Sequence, residues 1–195
     1  MVLTTDYDKL CINLLANIVS KDAAKRYLRI KRIDLELSLI KYQDKILDVG
    51  CGFGLDSIIF SKMGCFSIGI DISREFLHMK KQAQNYNVEF IQASAFKLPF
   101  RDKVFDVTVS YSSIEHAKSN YLEWIKEMKR VTKVGGYITI TTSNKLNLLM
   151  VLLAIIKRKI MQNYFEHFFG PKEFQSMLEM IGLKVIKYGA TGLYY

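Results

Sequence analysis

Lys45-Ile46-Leu47-Asp48-Val49-Gly50-Cys51-Gly52-Phe53-Gly54 opens a stretch that runs on to Cys65-Phe66-Ser67-Ile68-Gly69-Ile70-Asp71-Ile72-Ser73. It reads as a strand, a glycine turn, a helix and a second strand. Gly50, Gly52 and Gly54 lack a Cβ, so the chain can turn sharply off Ile46–Val49 and let a ligand lie against bare backbone. The next helix points its free amide groups toward that ligand. Asp71, seventeen residues past Gly54, falls at the tip of the neighbouring parallel strand, where a carboxylate can accept hydrogen bonds from both hydroxyls of a ribose. Together these parts imply a nucleoside site.

Nicotinamide cofactors use a related device, with the third glycine three positions after the second on a helix that cradles a pyrophosphate. Here that position is Leu55, the third glycine comes one residue early, and Asp48 precedes the first. A carboxylate beside the turn is a poor neighbour for a pyrophosphate but suits a ligand carrying an ammonium and a sulfonium. Asp48-Val49-Gly50-Cys51-Gly52-Phe53-Gly54 resembles motif I of the class I S-adenosylmethionine-dependent methyltransferases. The resemblance implies S-adenosyl-L-methionine as cofactor, held by Asp48, Gly50, Cys51, Gly52, Gly54 and Asp71, with Cys51 a small space-filler inside the turn.

Composition bounds the remaining classes. A chain of 195 residues, half of them hydrophobic and only two proline, fits one domain with a substantial core and argues against disorder. The three cysteines, Cys11, Cys51 and Cys65, form neither pairs nor a metal-ligand spacing, which suits a reducing cytoplasm. Met1 to Leu10 lacks the basic-then-apolar layout of a signal peptide, so a cytoplasmic location is expected. The formal charge of +9 favours an anionic partner: a membrane surface, a nucleic acid or an acidic substrate. Six basic residues cluster between Lys21 and Arg32, as a solvated helix face or as a surface met by incoming substrate.

Alternation of strand and helix signals predicts an α/β fold with right-handed crossovers and a mostly parallel sheet. Helical periodicity covers Tyr7 to about Tyr42, then Leu55, Ile58, Ile59 and Met63 on one face before Gly64. Strands are expected at Cys65–Ile70, Val88–Ala93, Phe105 onward, Tyr137–Thr142 and Leu183–Tyr188. Ser73 and Glu75 open a helix as cap and acid. Further helices span Tyr121–Val131 and the segment led by Pro171, which Gly182 closes. The resemblance supplies the architecture: a Rossmann-like class I methyltransferase fold with helices on both faces and an antiparallel C-terminal edge. Residues 1–195 form one domain, with a helical cap at 1–44, a cofactor-binding core at 45–145 and substrate-side helices and last strands at 146–195. Gly192 to Tyr195 is a stub where the family places its seventh strand.

Ala93-Ser94-Ala95-Phe96-Lys97-Leu98-Pro99-Phe100 resembles the family segment that holds the adenine, which adds Ser94, Ala95 and Phe96 to the cofactor set, with Ile72 and Phe96 as apolar walls. Many relatives carry an aspartate where Ser94 stands; a neutral hydroxyl accepts the adenine amine more weakly. Phe105 to His116 resembles the fourth strand and its exit loop, so Ser110 and Tyr111 join the set and the loop to His116 lines the place where the methyl group leaves. Thr132-Lys133-Val134-Gly135-Gly136 resembles the family's lysine-proline-glycine-glycine turn, with valine for proline.

Methyl transfer from a sulfonium needs binding, orientation and desolvation, and a general base only when the acceptor must lose a proton. Glu115 and His116 are the catalytic candidates, and His116 and His167 the substrate-binding ones. A structural role for each histidine is the alternative. Ubiquinone-type O-methyltransferases, which the chain resembles in part, add a glutamate three positions before the Glu-His pair and bind a divalent metal; here that position is Ser112, and no metal is expected. Amino-methyltransferases of adenine and cytosine carry an Asn/Asp-Pro-Pro-aromatic turn where this chain has Ser110-Tyr111-Ser112-Ser113. Base C5 enzymes need a cysteine there. A nucleic-acid substrate is therefore not favoured.

The similarity to the type-11 group, from about Lys25 to Tyr188, implies methyl transfer to a small-molecule or lipid-like acceptor at oxygen, carbon or nitrogen. The alternatives are a non-catalytic S-adenosylmethionine-binding regulatory or assembly protein and an RNA methyltransferase. Leu146–Ile156 is apolar but too short to span a bilayer. It reads as a buried helix or homodimer surface, as an interfacial helix at an anionic membrane, or as a lid.

Overall fold

Five parallel strands form one sheet in the order β3-β2-β1-β4-β5: β1 Lys45–Val49, β2 Phe66–Asp71, β3 Val88–Gln92, β4 Phe105–Tyr111 and β5 Thr132–Thr141. The computed structural model describes residues 39–79, 83–118, 120–160 and 165–189. Almost all of the expected N-terminal helical cap, its basic cluster and Gly192–Tyr195 lie outside them. Four α-helices are described: α1 Leu55–Lys62, α2 Tyr121–Val131, α3 Leu148–Ile160 and α4 Pro171–Met180. Short 3₁₀ turns cover Glu75–Met79 and Ile114–His116.

The period of two along β1 sorts its side chains between two cores. Leu47 and Val49 join Ile70, the α2 residues Trp124, Ile125, Met128 and Val131, and the α4 residues Phe174, Met177 and Leu178. Ile46 joins Val107, Val109 and Tyr111 with Phe60 of α1 on the other face. Helices thus cover both faces, and strand order reverses between β1 and β4, which opens a crevice at their carboxyl ends. Leu55 to Ser61 are all buried, a fuller enclosure than the one-sided periodicity of α1 requires.

Turn chemistry ends the helices as the sequence predicts. Gly64, at φ +88°, donates to the Ser61 carbonyl at 2.9 Å and closes α1. Pro171 opens α4, and Glu173 Oε2 accepts the Gly170 N–H at 3.2 Å. Gly182 at φ +75° ends it.

Two expectations need correction. Leu183 to Tyr188 runs as irregular chain, so among the described residues the sheet is wholly parallel and has no antiparallel C-terminal edge. Alternating apolar residues make a segment able to pair, but a strand forms only against an available neighbour. The fifth strand also starts at Thr132 rather than Tyr137. Phe105 pairs with Thr132 and Val107 with Tyr137, so Lys133 to Gly136 bulge out opposite Asp106, whose Oδ1 binds Lys133 Nζ at 2.6 Å. Gly135 takes φ +80° there, which accommodates the bulge without proline.

Gly54 sits at φ +78° with its missing Cβ directed into the Phe90 ring. Gly54→Ala is expected to lower unfolding free energy by about 2 to 3 kcal/mol in urea denaturation, from left-handed backbone strain and overpacking together. Adding Phe90→Leu should recover part of the loss, because the strain remains while the overlap goes.

Candidate active site

The glycine turn is built by hydrogen bonds from its own backbone. The N–H groups of Gly50 and Cys51 both donate to the Ile70 carbonyl, at 2.8 and 2.9 Å, and Gly54 N–H donates to the Cys51 carbonyl at 2.8 Å. Asp71 completes the tie: Oδ2 accepts Gly52 N–H and Oδ1 accepts Ser73 N–H, each at 2.8 Å. Two amides thus hold this carboxylate in place, and each oxygen keeps a further lone pair. Asp48 is enclosed within β1 and accepts the Ser57 hydroxyl at 2.7 Å, so it braces the turn from beneath. Burial, with Asp48 and Asp71 adding negative field, pushes the Cys51 thiol far above its ordinary range, so it stands as an inert filler.

The three glycines do different work. A Cβ on Gly50 would meet Ser113 at 2.7 Å, and one on Gly54 would enter Phe90, whereas one on Gly52 would meet nothing within 4 Å among the described residues. Among those residues Gly52 therefore leaves its backbone uncovered. Ile72, next to Asp71, is 74% exposed, and Phe96, edge-on to Trp124 at 5.7 Å, is 38% exposed. Ser110 Oγ and Trp124 Nε1 are buried without a hydrogen-bond partner among the described residues. Polar atoms left so are costly unless a ligand or water meets them.

Ser94 Oγ accepts the Phe96 N–H at 3.3 Å and its carbonyl accepts Lys97 N–H, which shapes a tight turn and keeps the hydroxyl hydrogen for another acceptor. Ala95 is buried behind it. Arg130 clamps the Leu98–Asp102 loop: it donates to the carbonyls of Leu98 and Phe100 at 3.0 and 2.8 Å and to Glu127 and Asp102. Glu127 Oε2 in turn accepts Leu98 N–H at 2.7 Å. On the other side Gln92 Nε2 donates to the Ile72 carbonyl at 2.9 Å while Arg74 donates to Gln92 Oε1. Sequence reasoning missed Arg130, Gln92 and Ser113. The Ser113 hydroxyl lies 2.9 Å from the Gly50 carbonyl and 3.0 Å from that of Tyr111. Only the position of Ser113, one residue after the left-handed Ser112 at φ +48°, lets it cross to the turn, and spacing alone does not reveal that.

Tyr111 contributes differently from a pocket residue. Its ring is buried against Phe60, centroids 6.5 Å apart, and its carbonyl faces Ser113. Glu115 and His116 also part company. His116 is exposed, with Nδ1 2.8 Å from the Phe165 carbonyl; Nδ1 must carry the hydrogen, so a neutral ring has Nε2 as its basic atom. Glu115 is only 4% exposed. Its carbonyl accepts His167 N–H at 2.9 Å, and Ser143 Oγ stands 3.5 Å from Glu115 Oε1 and 2.5 Å from Glu166 Oε1. Glu115 Oε2 and His167 Nε2 are buried without hydrogen-bond partners among the described residues. Thr142 Oγ1, near the Glu115 carboxyl, lacks hydrogen-bond geometry to it. The His167 ring packs edge-on to Phe169 and against Tyr121, at 4.3 and 5.4 Å.

Burial pushes the Glu115 carboxyl above its ordinary range, with Glu166 adding to the shift and His116 opposing it. The folded state then holds this proton more tightly than the unfolded chain, so the stability contribution falls as pH rises from the usual glutamic acid range through the raised value. Glu115→Gln removes that slope. Urea denaturation of both proteins is expected to show the variant's stability gaining on the parent's from acid to neutral pH; parallel curves would place the carboxyl in contact with solvent.

A family model described as a methyltransferase domain matches residues 47–140. An uncharacterized methyltransferase of Schizosaccharomyces pombe is 36% identical over 115 residues, 52% of this chain and 41% of that protein. The demethylmenaquinone methyltransferase of Staphylococcus saprophyticus is 34% identical over 130 residues, 64% of this chain and 54% of that protein. The chain thus spans roughly half the length of these curated relatives. A crystal structure of a SAM-dependent methyltransferase from Methanosarcina mazei superposes with a TM-score of 0.65 at 23% identity, covering 75% of this chain and 82% of that one. The parallel order with its reversal between β1 and β4, and the glycine turn tied to Asp71, agree with these matches: residues 47–140 of this chain are a methyltransferase domain of the type-11 family.

Proposed function

We propose that this protein transfers the methyl group of S-adenosyl-L-methionine to a small-molecule or lipid-like acceptor. The observation that carries the reading is the open backbone over Gly52, held by the Asp71 carboxylate. The further lone pairs of Asp71 suit ribose hydroxyls, and the exposed Ile72 and Phe96 suit the faces of an adenine. The bound cofactor supplies an activated methyl on a sulfonium, which leaves the chain to bind, orient and exclude water.

On the acceptor side we assign the proton-accepting role to His116. Its Nδ1–H is anchored on the Phe165 carbonyl, which sets the tautomer in which Nε2 is the basic atom of the neutral ring, the atom that would take a proton from a hydroxyl acceptor. Glu115 works from beneath as a positioning residue, tying the 165–169 segment to the loop through its carbonyl. His167 faces the aromatic cluster of Tyr121 and Phe169 and bounds the acceptor space there. The similarity to a demethylmenaquinone methyltransferase supports an apolar ring-bearing acceptor.

Isothermal calorimetry with S-adenosylmethionine is expected to show one-site binding, weakened by on the order of 2 kcal/mol in Asp71→Ala through loss of charge-assisted bonds. S-adenosylhomocysteine release with a pool of small and lipid-like acceptors should follow. His116→Ala should slow release for hydroxyl acceptors by about a hundredfold or more with cofactor affinity unchanged. No heat of binding in the parent protein would overturn the reading, and binding without turnover on any acceptor would turn it into a cofactor-binding protein.

A further inference from the structure

Helix α3, Leu148–Ile160, exposes apolar side chains along most of its length. Leu148, Leu152, Ile155 and Ile160 are 78, 55, 51 and 75% exposed, while Ala154 is buried on the opposite side. At 100° per residue the first three fall within about 60° of one another and Ile160 lies farther round the same exposed side. Lys157, Arg158 and Lys159 are exposed in the last turns, and no Asp or Glu occurs between Lys145 and Glu166. The helix hangs from the site end of the sheet. The chain leaves it at Asn144 and returns at Phe165 to Phe169, where it binds Glu115 and His116.

Leucine and isoleucine held in water along one face mark a surface that something covers. With thirteen residues the helix is about 20 Å long, too short to cross a bilayer but suited to lie within the headgroup layer. A second copy laid on this face would bring further basic residues and no acidic ones from the same segment. An anionic lipid surface supplies both the apolar layer and the opposite charge. We propose that α3 is an interfacial helix that seats the protein on an anionic membrane, apolar face toward the acyl boundary and basic turn among the phosphates. This goes beyond the methyl-transfer reading and does not depend on it.

The full chain should sediment with vesicles of equimolar phosphatidylglycerol and phosphatidylcholine and remain in solution with phosphatidylcholine alone, with release by molar salt. Replacing Leu152→Ser and Ile155→Ser together should lower partitioning on the order of tenfold or more, and Arg158→Gln with Lys159→Gln about fivefold per charge. Circular dichroism checks the fold of each variant. Calorimetry with S-adenosylmethionine reads the methyl-donor site separately, so a failure there leaves the vesicle result standing. Absence from the anionic pellet, equal binding to both vesicles, or unchanged binding of the serine pair would overturn the proposal. So would a lipid-free dimer that the serine pair splits into monomers.

Discussion

The Asp71 carboxylate is the joint between sheet and turn. One oxygen takes the Gly52 amide and the other takes the Ser73 amide, so a single side chain sets the turn after β1 and the exit from β2 at once. Because both bonds run to backbone N–H groups, the carboxylate is oriented before any ligand arrives, and little ordering remains to be done on binding. The Ile70 carbonyl, accepting Gly50 and Cys51, gives the same turn its second anchor. The crevice between β1 and β4 is therefore held open by backbone geometry, with side chains braced against it.

That bracing spreads outward in two directions. Arg130 and Glu127 hold the loop after Ser94–Phe96, while Gln92 holds the loop after Asp71. On the far side Ser113 reaches back to Gly50. The glycine spacing follows from these contacts: Gly50 must admit Ser113, Gly54 must admit Phe90, and Gly52 alone of the three meets no neighbour among the described residues. Charge-assisted bonds of the Arg130 kind are among the stronger polar contacts available to a partly buried loop.

Much of this was legible in the residues themselves. The glycine turn, the acid at the end of β2, the order of strands and helices and the bounds of α2 all follow from local pattern and family likeness. What escaped was whatever depends on a distant partner. The Gly52 amide on Asp71, the reach of Ser113 and the Arg130 clamp connect positions far apart in the chain. Tyr111 could have been placed, since it shares the parity of Val107 and Val109, both core residues of one face. The segment from Leu183 had a strand's alternation without a neighbour to pair with among the described residues, and the early start of β5 was hidden by its bulge.

One small contact reaches further than its size. Phe169 donates to the Ser143 carbonyl and accepts from Lys145, at 2.9 and 3.1 Å, and pairs with Asn144 as an isolated parallel bridge. This pinches the chain shut at the root of the excursion that carries α3. A stretch closed at its neck can lengthen, shorten or change character at little cost to the sheet beneath it, because closure entropy grows only slowly with loop length. The fold thereby separates a fixed base around the glycine turn from an exchangeable appendage, which selection can retune without disturbing the turn.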